Sequence, residues 1–120
     1  MHIKEAQESV AKFAVGRGWD INTPTQRGAH LAREASRLAE HTLYREGVTT
    51  KAPTSSFEKQ FGDVLFSLLS MANRLGVDLE EQLLVAMKED EAKYPAEATR
   101  AASLRAYALK MRPFVSRLPR

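Results

Sequence analysis

The sequence predicts an all-α protein, a helical bundle of about five helices that oligomerises through its central apolar helix. Three observations predict it. Apolar residues recur at helical spacing along every long segment, and none alternates as a half-buried strand would. Helix-start signals stand before three segments, and the connections between segments are short. One segment is apolar around most of its circumference, which one chain of 120 residues has few helices to cover.

The elements follow in order. Ile3, Ala6, Val10, Phe13 and Ala14 mark a first helix, with Gly16 and Gly18 suited to its end. Thr23, Pro24 and Gln26 form a capping box with proline at the first helical position. They open a second helix that runs to about Arg45, before Gly47. Residues 47–54, GVTTKAPT, read as a loop. Ser55 with Glu58 reads as a second capping box, opening a third helix to about Leu75 and Gly76. Asp78 with Glu81 repeats the device for a fourth helix, which ends near Lys93 because Tyr94-Pro95 disfavours continuation. A fifth helix covers about 96–111 and ends before Pro113. The division expected is a helical domain over 1–95 and a basic helix and tail over 96–120.

Composition sets the outer limits. Hydrophobic residues make up 43% and charged residues 28%, the balance of an ordinary globular chain, and no apolar stretch approaches a membrane span. The N-terminal MHIKEAQESV has no apolar core of a secretory signal, and there is no cysteine for disulfides or thiolate chemistry. These features suit a cytoplasmic protein with no membrane partner. Residues 1–97 carry twelve Lys/Arg and all fifteen acids; residues 98–120 carry six Lys/Arg, among them Arg112, Arg117 and Arg120, and no acid. No aromatic interleaving or nucleic-acid motif accompanies that run, so it reads as a solvated helix and tail, and nucleic acid is not an expected partner.

The third helix, FGDVLFSLLSMANRL, holds Val64, Leu65, Phe66, Leu68, Leu69, Met71 and Ala72, hence the expectation of a dimer or tetramer. Two polar stripes interrupt the apolar pattern. His30, Glu34, Arg37 and His41 share one side of the second helix; Gln60, Asp63, Ser67, Ser70 and Arg74 share one side of the third. Facing each other, they would form a polar pocket inside a bundle, as carboxylate metal sites do. A nucleophilic serine finds no base and orienter in the sequence. Trp19 is the single tryptophan and either stacks on a base or staples the first two helices; Asn73 reads as a helix-end residue.

GDVLF, ANRLGVDLEE and KYP, with LAREASRLAE and GRGWDINTP before them, resemble the MazG-like nucleotide pyrophosphohydrolases over roughly residues 8–95. The resemblance implies an all-α oligomer that cleaves nucleoside triphosphates to monophosphate and pyrophosphate. It also implies magnesium held by an E-x-x-E and an E-x-x-D pair. Those pairs fall on Glu34 and Arg37, and on Gln60 and Asp63; a further family glutamate falls on Arg33. Lys93 and Tyr94 match the phosphate-side pattern, whereas Ala86 and Asp90 depart from it. Glu34 and Asp63 are then the remaining magnesium ligands, and Arg33, Arg37, Lys93, Tyr94 and Trp19 the substrate-side candidates.

A guanidinium cannot ligate a cation. About 4 Å from a metal, at an effective dielectric of about 20, it meets each unit of metal charge with roughly 4 kcal/mol of repulsion. Arg37 suits instead a structural ion pair with Glu34 and Asp63. Three other arrangements stay open: a working site with fewer ligands, supplemented by Glu58, Glu40 or substrate phosphates; a transition metal on His30 and Glu34 with Asp63; and an anion clamp formed by Arg33 and Arg37. The sequence thus points to a catalytically silent or strongly impaired relative that keeps oligomerisation and nucleotide binding. The alternative is an active magnesium-dependent triphosphate pyrophosphohydrolase.

Overall fold

The computed structural model describes residues 2–115, with side chains described for residues 2–111. Five α-helices and one short 3₁₀ turn account for the regular structure of those residues: α1 (Ile3–Val15), the turn Trp19–Ile21, α2 (Pro24–Arg45), α3 (Phe57–Leu75), α4 (Leu79–Lys93) and α5 (Ala96–Val115). The all-helical expectation holds, with no strand among the described residues. None of the helices is long and apolar enough to cross a membrane. The chain divides into two compact units, Met1–Gln82 and Leu83–Arg120, with the division inside α4.

Local chemistry sets most helix ends. Thr23 accepts from the Gln26 N–H at 3.2 Å while Gln26 Oε1 accepts from the Thr23 N–H at 2.9 Å, so both halves of the expected capping box form. Gly76 ends α3 at φ 70°, a backbone setting that glycine adopts without the steric cost a Cβ brings. Asp78 Oδ1 accepts from the Glu81 N–H at 3.1 Å and starts α4.

Two boundaries differ from the sequence reading. The N-cap of α3 is Ser56, whose hydroxyl accepts from the Lys59 N–H; Ser55 turns inward instead. Only Ser55 satisfies the Ser-x-x-Glu pattern, since Lys59 stands three residues after Ser56, but the buried acceptor on Gln60 turns Ser55 away from the cap. The last helix runs on to Val115 rather than stopping at residue 111. Pro113 sits in its final turn, where its missing N–H forfeits a single backbone bond. Arg117 and Arg120 of the basic tail lie outside the described residues.

In the first unit, α2 packs along α3, while α1 packs against α3 and the 3₁₀ turn. The side of α2 turned inward is Arg27, Leu31, Glu34, Leu38 and His41, seven-residue steps of polar groups alternating with leucines. On α3 the corresponding side is Gln60, Val64, Ser67 and Met71. The interior is therefore unusually polar. Its buried apolar residues are Ala14, Leu69 and Ala72, beside buried Gln7, Arg27, Glu34, His41, Gln60 and Ser67. Much apolar surface instead faces outward. Phe61, Leu65, Leu68 and Leu75 follow one another along one side of α3, all more than a third exposed.

Gln7 ties α1 to the corner between α3 and α4. Its Nε2 donates to Val77 O at 2.9 Å and Asn73 Oδ1 at 3.2 Å, and its Oε1 accepts from the Leu79 N–H at 3.0 Å. Asn73 Nδ2 donates back to Gln7 O at 2.9 Å, so Asn73 does serve the helix end. Truncating Gln7→Ala strands these partners and should cost roughly 2 kcal/mol in urea unfolding. An unchanged midpoint would deny the clamp any role.

Candidate functional site

The two polar stripes meet along the α2–α3 seam and centre on Glu34. Its carboxylate is buried, 4% exposed, and Gln60 beside it is 1% exposed. Gln60 Nε2 donates to Glu34 Oε2 at 2.7 Å and to Glu34 O at 3.1 Å. Arg37 donates to the other oxygen, Oε1, at 3.2 Å, and the Arg33 guanidinium stands 3.7 Å from the same atom. Both carboxylate oxygens thus face nitrogen donors. Arg37 pairs with Glu34, as the sequence reading proposed; its other supposed partner, Asp63, pairs with Lys59 one turn away at 3.1 Å.

The network continues beyond Gln60 with a definite direction. Ser55 Oγ donates to Gln60 Oε1 at 3.1 Å, and His41 Nε2 lies 2.9 Å from Ser55 Oγ. With the hydroxyl proton on the Gln60 side, His41 is the donor to Ser55. Serine and histidine are neighbours, which the sequence did not reveal. The proton points away from the imidazole, so His41 orients Ser55 rather than activating it. At the other end of α2, Arg33 donates to His30 Nδ1 at 2.9 Å, which leaves the ring proton on Nε2, facing Glu34 Oε1 at 3.8 Å. That nitrogen offers no lone pair for the transition metal considered from sequence.

A resident magnesium would need several hard oxygens directed at one point. Here Glu34 is held by Gln60 and Arg37, both oxygens of Asp63 face the Lys59 ammonium, and Gln60 Oε1 accepts from Ser55. Among the described residues, no group of three or more His, Asp or Glu side chains is arranged to hold a metal ion. As arranged, these residues do not fit a bound divalent ion.

Trp19 occupies the neighbouring end of the unit. Its ring packs on Phe13 at 5.8 Å and edge-on to Phe66 at 6.5 Å, so it joins α1 to α3 rather than α1 to α2. Its backbone is fixed by Arg27, a buried residue that sequence inspection passed over. Arg27 donates to Trp19 O at 3.0 Å, Asn22 O at 3.1 Å, Ser70 O at 2.7 Å and Ser70 Oγ at 3.0 Å. The only signal for it was its place seven residues before Glu34 on the same side of α2. Lys93 and Tyr94 lie in the second unit at the end of α4, with the ammonium 5.9 Å from the exposed phenol ring.

One relative is 39% identical over 62 residues, the uncharacterized protein YpjD of Bacillus subtilis (strain 168). The match covers 49% of this chain and 56% of that protein, so the chain spans about half the length of the curated relative it matches. No family model and no solved structure matches the chain.

Gln60→Leu would leave Glu34 Oε2 and Ser55 Oγ facing a methyl group; a loss of about 3 kcal/mol is expected in denaturant unfolding. Arg37 is half exposed, so Arg37→Ala should lower stability by only about 1 kcal/mol. An unchanged melting temperature in Arg37→Ala would remove the ion pair from the account.

Proposed function

We propose that this chain is a catalytically silent relative of the MazG-like nucleoside triphosphate pyrophosphohydrolases, which retains assembly and nucleotide binding but not metal-dependent cleavage. One observation carries the reading. The buried Glu34 carboxylate, a magnesium ligand by resemblance, has its two oxygens engaged by the Gln60 amide and the Arg37 guanidinium. A metal ion would have to displace a neutral donor and a positive charge at once. The second reading, an active enzyme, draws on the exposure of Arg33, Arg37 and Lys59, whose side chains can swing into solvent and free Glu34 and Asp63.

The test is pyrophosphate release from a panel of ribo- and deoxynucleoside triphosphates with magnesium or manganese. The unmodified protein should release none above background, and Arg37→Glu combined with Gln60→Glu should restore it. Turnover by the unmodified protein would make the silent reading wrong.

The assembly part of the reading is a homo-oligomer, a dimer or tetramer, built on the outward side of α3. Phe61 and Leu65 are 53% and 52% exposed there, an apolar row that burial against a second copy would stabilise. Light scattering should give a multiple of the chain mass, and Leu65→Glu with Leu68→Glu should reduce it to that of one chain. A monomeric unmodified protein would reject the oligomer.

A further inference from the structure

Beside the Glu34 cluster lies a half-open cleft of about 330 Å³ whose walls include Trp19, Phe66, Asn22, Gln26, His30 and Ser67. Its size falls at the low end for small-molecule sites. The aromatic walls suit a flat ring. The amides suit a ring with polar edges: Gln26 uses its oxygen on the Thr23 N–H and keeps its NH₂ group, and the Asn22 amide makes no hydrogen bond among the described residues. Arg27 fixes the wall in advance by holding Trp19 O, Asn22 O and Ser70 together, which lowers the ordering cost of binding.

Charge stands at the edge of the same cleft. His30 lines it, and His30 Nδ1 holds the half-exposed Arg33 guanidinium at 2.9 Å. Glu34 is a single carboxylate facing both Arg33 and Arg37, and Arg37 makes its hydrogen bond. One positive charge is therefore left over, on Arg33. A phosphate monoester carries about −1.5 to −2 at neutral pH, and each further phosphoryl group adds more. One uncompensated guanidinium suits one phosphate and is far short of what a metal-free triphosphate needs.

We infer that this cleft binds a nucleoside monophosphate without a metal ion, with the heterocycle against Trp19 and Phe66 and the phosphate on Arg33. The inference deepens the nucleotide-binding part of the proposed function and rests on it. Recognition is by ring and single phosphate together; neither the free nucleoside nor inorganic phosphate satisfies both ends of the site.

The single tryptophan makes the experiment direct. The full chain is titrated in EDTA with CMP, UMP, AMP and GMP, with the matching nucleosides and with inorganic phosphate, following Trp19 emission and calorimetric heat. At least one monophosphate should saturate, its nucleoside binding about tenfold or more weaker. Arg33→Gln, checked for folding by circular dichroism, should bring the monophosphate down to the nucleoside's level and leave the nucleoside unchanged. No saturation by any monophosphate would overturn the inference. So would binding that needs magnesium, equal binding of inorganic phosphate, or an unchanged affinity in Arg33→Gln. Triphosphate cleavage by the unmodified protein is a separate readout, which removes the silent reading without touching the titration in EDTA.

Discussion

A buried carboxylate must be given donors or it will not stay buried, and in this protein that requirement falls on the 2.7 Å contact between Gln60 Nε2 and Glu34 Oε2. The contact fixes which way the Gln60 amide faces. That orientation turns Gln60 Oε1 toward Ser55, which draws Ser55 away from capping α3 and leaves the cap to Ser56. His41 then completes the line by donating to Ser55. One pairing deep in the seam thus sets a helix start and the inward turn of the loop before α3.

The same seam explains why the apolar surface lies where it does. Arg27, Glu34 and His41 stand seven residues apart on α2, so three polar rungs recur about every 10.5 Å along it. Each is matched by polar groups of α3 or of the residues just before it: Ser70, Gln60 and Ser55. A slip in register would break all three at once, whereas a seam of leucines would tolerate one. Polar rungs of this kind define alignment at a cost in stability. With the inside of the unit partly given to them, the apolar side chains of α3 are left on its outside, at Phe61, Leu65, Leu68 and Leu75.

The helices were legible because their ends carry local signals: the Thr23–Gln26 box, Gly76 and Asp78 act through bonds within four residues. Pro113 was misleading because proline disfavours a helix interior, whereas here it stands inside the last turn rather than just beyond it. The site was legible as two stripes, since helical spacing alone puts Glu34 and Gln60 on inward sides. What the stripes did next depended mostly on contacts distant in sequence. Asp63 turns to Lys59 through a local pair one helical turn apart, which the reading of the stripes left out, but nothing local says that Ser55 will sit beside His41. Arg27 was overlooked for the same reason. A lone arginine early in a helix reads as solvated, and only the carbonyls of Trp19, Asn22 and Ser70 make it a buried brace.

Arg37 and Gln60 read in the sequence as two separate departures from a four-carboxylate pattern. In the folded chain they are two sides of one arrangement, because they bond opposite oxygens of the same Glu34. The order in which such changes can be tolerated follows from charge. A glutamate at position 60 would set one carboxylate against another at about hydrogen-bond distance, tolerable only with a cation or a shared proton between them. The amide removes that need, and Arg37 then supplies the remaining positive charge from within the chain. With both present, an added metal would have to displace the Gln60 amide and move the half-exposed Arg37 guanidinium away from Glu34. Arg33, facing the same carboxylate from farther away, is the charge left over. The pairing that engages both oxygens of Glu34 therefore also leaves one positive charge beside the neighbouring cleft, the charge on which the proposed phosphate contact rests.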